Sequence, residues 1–224
     1  MKIEKNINSL PHNWLIHHIY IRSLKNNLDY ISGIAVDIGR RKKPFNKIII
    51  SKCKNYYGME YQKTQHGFSQ VDVIGEALSL PFNKSSADTV VSLQVMEHVS
   101  EPDDFLREIY RILKPKGYCL LMTPFMWGEH ETPYDYFRFT RYGIEHLAEK
   151  AGFKVVKINA DTGYLTTATL RLNYFLMRYA RGILKFFIIP FVFCDQYVAY
   201  LIEKFINDSG TDTANFTTIL QKEI

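Results

Sequence analysis

Apolar positions in this chain fall in short continuous runs. Ile34 to Ile38, Thr89 to Leu93 and Tyr118 to Thr123 are aliphatic or β-branched at most positions, as strands covered on both faces are. Between the last two, Phe105, Leu106, Ile109, Ile112 and Leu113 share one helical face, with Arg107, Glu108 and Arg111 turned outward. Ser100 is placed to cap that helix, Pro102 suits its first turn, and Asp103 and Asp104 favour its positive end. Pro115 and Gly117 are expected to close it. The unit reads as strand, helix, strand, which requires parallel strands and a right-handed crossover.

The same reading extends along the chain. Trp14 to Tyr30 has helical spacing, Arg40 to Phe45 is a loop, and Tyr56 to Glu60 and Val71 to Ile74 are short strands. Arg141 to Ala151 is a helix closed by Gly152, Lys154 to Asn159 a strand, and Phe216 to Gln221 a last strand. Alternation of this kind predicts an α/β, doubly wound, Rossmann-like domain. The expected organisation is a single domain over 1–224. It comprises an α/β core at 30–160, a helical insertion at 161–214 and a final strand at 215–224.

Composition changes the picture little. A net charge of +5 is spread without a face-long basic stripe, apart from Arg40 to Lys43, so nucleic acid is not an expected partner. Cys53, Cys119 and Cys194 stand apart in sequence with no CxxC, and the first residues have no apolar signal core. A cytoplasmic protein with reduced cysteines is expected.

In open α/β sheets, ligands bind beyond the carboxyl ends of the strands. Those ends carry Asp37 and Gly39, Glu60, Glu76, Gln94, and Glu97 with His98. Glu60, 21 residues past Gly39, suits a ribose diol, since one carboxylate accepts from both hydroxyls. The competing reading is that each acid caps a turn. A dinucleotide oxidoreductase would need GxGxxG, and the GRRKKP following Ile38 cannot supply it.

The ordered segments VDIG, YYGME, VDVIGEALSLPF, SADTVVSLQVMEHV, EIYRILKPKGYCLLMTPF and AGFKVV resemble class I S-adenosylmethionine-dependent methyltransferases of the type 11 group, over about residues 30–160. The resemblance implies a seven-stranded sheet whose last strand is antiparallel, and S-adenosylmethionine as cofactor. Gly39 and its loop would face the methionine part, with Asp37 shaping the site. Glu60 would hold the ribose, Glu76 and Ala77 would lie at the adenine, and Gln94 would line the floor. The family usually has a second glycine, D-x-G-x-G, where this chain has Arg41. Either the loop detours or cofactor affinity falls.

Thr123 to Thr140 is similar to a methyltransferase variant encoded among surface-polysaccharide genes. Its H..P.DY.R.T signature is met by His130, Pro133, Asp135, Tyr136, Arg138 and Thr140. A small glycan acceptor is then expected, methylated on a hydroxyl. Trp127, Tyr134 and Tyr136 offer flat faces for a sugar, with Asp135 and Arg138 beside them, and His130 is the expected base with His98 in support. In the alternative, Asp135 and Arg138 pair to brace the loop. Some related O-methyltransferases hold a divalent ion with E-x-x-E-H, but Gln94 takes the place of one carboxylate here. Glu97, His98 and His130 still offer three ligands, yet Glu97 and His98 are expected to organise the substrate pocket with no metal held. Rival readings are a non-catalytic methyltransferase-like binding module and an RNA or protein methyltransferase.

Residues 165–208 are helical in pattern and rich in aromatics, more than one buried stripe accommodates. The longest uninterrupted apolar run, Phe186 to Cys194, is nine residues, includes Pro190, and is bracketed by Lys185 and Asp195, so no spanning helix is expected. The surplus must cover its own domain, a second copy in a homodimer, or an anionic membrane surface met by Arg171, Arg178, Arg181 and Lys185.

Overall fold

The computed structural model describes residues 13–39, 45–61, 71–206 and 210–223. Arg41 and its basic neighbours in the expected glycine loop lie outside the described residues.

Five strands come from the first part of the chain. They are β1 (Ile34–Ile38), β2 (Asn55–Glu60), β3 (Val73–Ile74), β4 (Ala87–Leu93) and β5 (Leu113–Pro124). β6 (Lys154–Ala160) and β7 (Asn215–Gln221) complete one sheet in the order β3-β2-β1-β4-β5-β7-β6. The β1–β2, β1–β4, β2–β3 and β4–β5 pairs are parallel, and β7 runs antiparallel to β5. The apolar runs account for this order. Val36, Ile38, Val90, Val91, Leu120 and Leu121 are buried because their strands are central and covered on both faces.

α2 (Phe45–Ile50) was not foreseen, because six residues are too few for a periodic signal. α3 (Pro102–Ile112) buries Phe105, Leu106, Ile109 and Ile112 completely, each contributing about 1.5–3 kcal/mol. Its ends differ from expectation. Glu101, not Ser100, is the N-cap residue, and it makes no side-chain cap bond. The helix passes into β5 at Leu113 without the turn that Pro115 and Gly117 suggested. Lys222, from beyond β7, closes this junction: its buried ammonium donates to the Tyr110 and Leu113 carbonyls, at 2.8 Å each. A cation there meets the negative end of the helix. On the outer side, Arg111 pairs with Glu108 and donates to the Leu80 and Phe82 carbonyls, so these two clamp a turn rather than face water alone.

Contacts divide the chain into two units, 24–159 with 215–224, and 1–23 with 160–214. The first holds the sheet, α2, α3 and α4 (Arg141–Lys150). The second holds most of α1 (Trp14–Lys25), with α5 (Tyr164–Met177) and α6 (Lys185–Glu203). Gly182–Glu203, 22 residues, is long and apolar enough to cross a membrane. Counting uninterrupted apolar residues missed this, because Lys185 and Asp195 break the run while the helix as a whole stays apolar.

Candidate functional site

The carboxyl ends of β1, β2 and β4 border a cavity of about 310 Å³. Gly39 ends β1 with φ +74, and a Cβ there would lie 2.3 Å from Val95 Cγ2, so no other residue fits without displacing the wall. Glu60 ends β2 at 7% exposure, with Oε1 accepting from the Tyr61 N–H at 2.9 Å. Glu76 and Ala77 follow β3, Glu76 being exposed. Gln94 ends β4 in a left-handed conformation, φ +57, held by its N–H on the Met122 carbonyl at 2.8 Å. A non-glycine residue there stores strain where the chain must turn sharply into the cavity wall.

Of the residues expected at a cofactor, Gly39, Glu60, Glu76, Ala77 and Gln94 line this cavity together. Asp37 does not. It is buried within β1 and accepts from the Tyr56 hydroxyl, so its place is in the frame behind the rim.

The second half of the site is built on the turn after β4. Glu97 is fully buried, and its carbonyl accepts from the Tyr136 and Phe137 N–H groups, which ties the segment 125–140 to this turn. Its carboxylate Oε1 lies 3.8 Å from His98 Nε2 and 3.9 Å from His130 Nε2, and the two rings meet edge to face with centroids 4.8 Å apart. His98 Nδ1 lies 2.9 Å from the Tyr134 carbonyl, and His130 Nδ1 lies 3.2 Å from that of Gly128. A carbonyl only accepts, so His98 Nδ1 carries the proton in its bond, whereas His130 Nδ1 also lies 3.4 Å from the Arg138 guanidinium, a donor; both Nε2 atoms face the buried carboxylate.

Ligand atoms of Glu97, His98 and His130 lie within 4.8 Å of one another, a group that could hold a divalent ion if the side chains drew inward. His98, Tyr134 and Tyr136 line the cavity wall, whereas His130 and Trp127 do not. Glu131, which sequence reasoning passed over, lines it too, with Oε2 3.9 Å from His98 Nε2. Its proximity arises from the fold of the loop, and nothing in its sequence context marks it.

Arg138 and Asp135 are outside the cavity lining. The guanidinium meets Asp135 with two parallel bonds of 2.7 Å and donates also to the Trp127, Gly128 and Phe137 carbonyls. All five of its N–H donors therefore end on protein acceptors, which is the loop brace. Burial alone would raise the Asp135 carboxyl, but the Arg138 bonds and the His130 N–H outweigh it and hold it at about 2. Because the folded value is depressed, the stabilisation is complete above about pH 4 and is lost as pH falls toward 2. Asp135→Asn is expected to lower stability by about 2–3 kcal/mol at pH 7. The difference from the parent should shrink below about pH 4 in thermal denaturation.

Comparisons with known proteins follow this geometry. Residues 36–121 match the family model described as a methyltransferase domain. A curated protein of Mycolicibacterium smegmatis, described as a "Probable S-adenosylmethionine-dependent methyltransferase", is 30% identical over 121 residues. That alignment covers 48% of this chain and 47% of the relative, so the chain spans about half the length of the curated relative it matches. Among solved structures, the [4+2]-cyclase SpnF superposes with a TM-score of 0.60 at 18% identity, covering 93% of this chain and 80% of that one. A SAM-dependent methyltransferase from Thermotoga maritima gives 0.59 at 18%, covering 94% and 93%. At such identities the two structures establish the fold alone.

Proposed function

We propose that this chain, whose residues 36–121 match a methyltransferase-domain family, is a class I S-adenosylmethionine-dependent enzyme that transfers a methyl group to a hydroxyl of a small sugar-like acceptor. The observation that carries the reading is the convergence of Gly39, Glu60, Glu76 and Gln94 on one cavity that His98, Tyr134 and Tyr136 also line. S-adenosylmethionine is the cofactor, and when bound it supplies a sulfonium methyl whose leaving group needs no protonation. Its fit rests on this chain's own residues. Glu60 offers a buried carboxylate to a diol, and Gly39 leaves backbone open where a side chain would close the wall.

The protein's share of the chemistry is alignment and proton removal. Tyr134 and Tyr136, about half exposed at 52% and 46%, present ring faces to the acceptor. Trp127 lies outside the cavity and serves the loop that carries them. His130, the more open of the two histidines at 26% side-chain exposure against 14%, takes the hydroxyl proton. His98 supports its ring, and Glu97 favours the charged imidazole that results. Asp135 and Arg138 hold the loop rather than the acceptor.

Isothermal calorimetry of the full chain with S-adenosylmethionine and its demethylated product tests the first half of this reading. Binding of both is expected. Absence of binding would leave a methyltransferase-like module without catalysis. Loss of turnover on chelation, restored by a divalent ion, would assign the Glu97, His98 and His130 group to a metal instead of to proton transfer.

A further inference from the structure

The unit formed by 1–23 and 160–214 carries a helix whose polarity is reversed. Val192, Gln196 and Ala199 of α6 are buried, a stripe at helical spacing, and the polar groups lie on or beside that stripe. Gln196 Oε1 accepts from the Leu15 N–H at 3.0 Å, and Glu203 accepts from the N–H groups of Gly163 and Thr166 at the start of α5. Asp195 is half-buried, and that burial raises its carboxyl above the usual range. The outward side is apolar over the whole helix: Phe186 is 68% exposed, Phe187 69%, Phe191 53%, Tyr197 52% and Val198 51%. A helix facing water carries its charges there, and the exposed residues of this one carry a single charge, Lys185 at its first position.

We infer that this face lies in the interface of an anionic lipid bilayer, peripherally and without crossing it. Charge decides between lipid and the other candidate, a second copy. Among the described residues from 160 to 206, Arg171, Arg178, Arg181, Lys185 and Lys204 are exposed and no acidic residue is. Cations stand at both ends of α6, so two copies meeting through this face, parallel or antiparallel, bring like charges together. An anionic surface complements both ends at once. Lys185 and Lys204 already lie over the rings of Phe186 and Tyr200, at 5.0 and 4.3 Å from the centroids, so cation and aromatic are presented together. Crossing is disfavoured because it would strip Gln196 and Glu203 from their partners on α1 and α5. The inference does not depend on methyl transfer.

The test is flotation of the full chain, without cofactor, on vesicles of phosphatidylcholine alone and of phosphatidylcholine with phosphatidylglycerol. Binding to the anionic vesicles, weaker at high salt and at least about tenfold weaker on neutral ones, is expected. Phe187→Ser with Phe191→Ser, both on the solvent side, should lower it about tenfold or more with circular dichroism unchanged. Arg181→Gln with Lys185→Gln should reduce its salt dependence. No binding to anionic vesicles would overturn the inference, as would a dimer in light scattering that the phenylalanine variants dissociate. Retention through an alkaline wash would mean a spanning helix and would overturn it too.

Discussion

His130→Ala is expected to lower turnover by about 10²–10⁴-fold while affinity for S-adenosylmethionine stays within about twofold. The separation follows from geometry. His130 lies outside the cavity lining that includes Gly39, Glu60 and Gln94, and its contacts are with Glu97, His98 and the loop held by Arg138. Removing the imidazole leaves those cofactor-side residues in place and takes away a proton acceptor together with its contacts to His98 and the Gly128 carbonyl. His98→Ala is expected to cost less, about tenfold, because it removes the ring that supports the base. Parallel single-turnover measurements with the true acceptor, and calorimetry on both variants, check the pair. The reverse ranking would make His98, on the cavity wall, the base.

Much of this arrangement was legible because it rests on burial. The runs at Ile34–Ile38 and Thr89–Leu93 became the two adjacent central strands, and the acids and Gln94 at strand ends came together because parallel strands put like ends on one side. What was not legible depends on long-range partners. Pro115 and Gly117 read as a helix stop, but the stop is supplied by Lys222, 109 residues past Leu113. Asp135 and Arg138 read as acceptor contacts, with a brace as the alternative. Only the five occupied donors of the guanidinium decide for the brace. The polarity of α6 was hidden for a related reason. Period 3.6 places Gln196 and the phenylalanines on opposite sides, but which side is buried depends on α1, far earlier in the chain.

Glu60→Ala is expected to weaken S-adenosylmethionine by roughly 2 kcal/mol, about 30-fold in Kd. The size comes from the environment of the carboxylate. At 7% exposure it is shielded from water, so a diol bonded to both oxygens gains two charge-assisted bonds that bulk solvent does not weaken. The variant also leaves the Tyr61 N–H without its acceptor, which adds to the loss at the same strand end. Glu76 provides the control: it borders the same cavity but is exposed, so Glu76→Ala should change affinity by less than about threefold. Asp37→Ala should be at least as harmful as Glu60→Ala, through the frame, since it removes the carboxylate that accepts from the Tyr56 hydroxyl. It should therefore lower the melting temperature as well, which Glu60→Ala should do far less. Calorimetry and thermal denaturation on the three variants separate these routes. Equal affinities for the Glu60→Ala and Glu76→Ala proteins would remove Glu60 from the ribose.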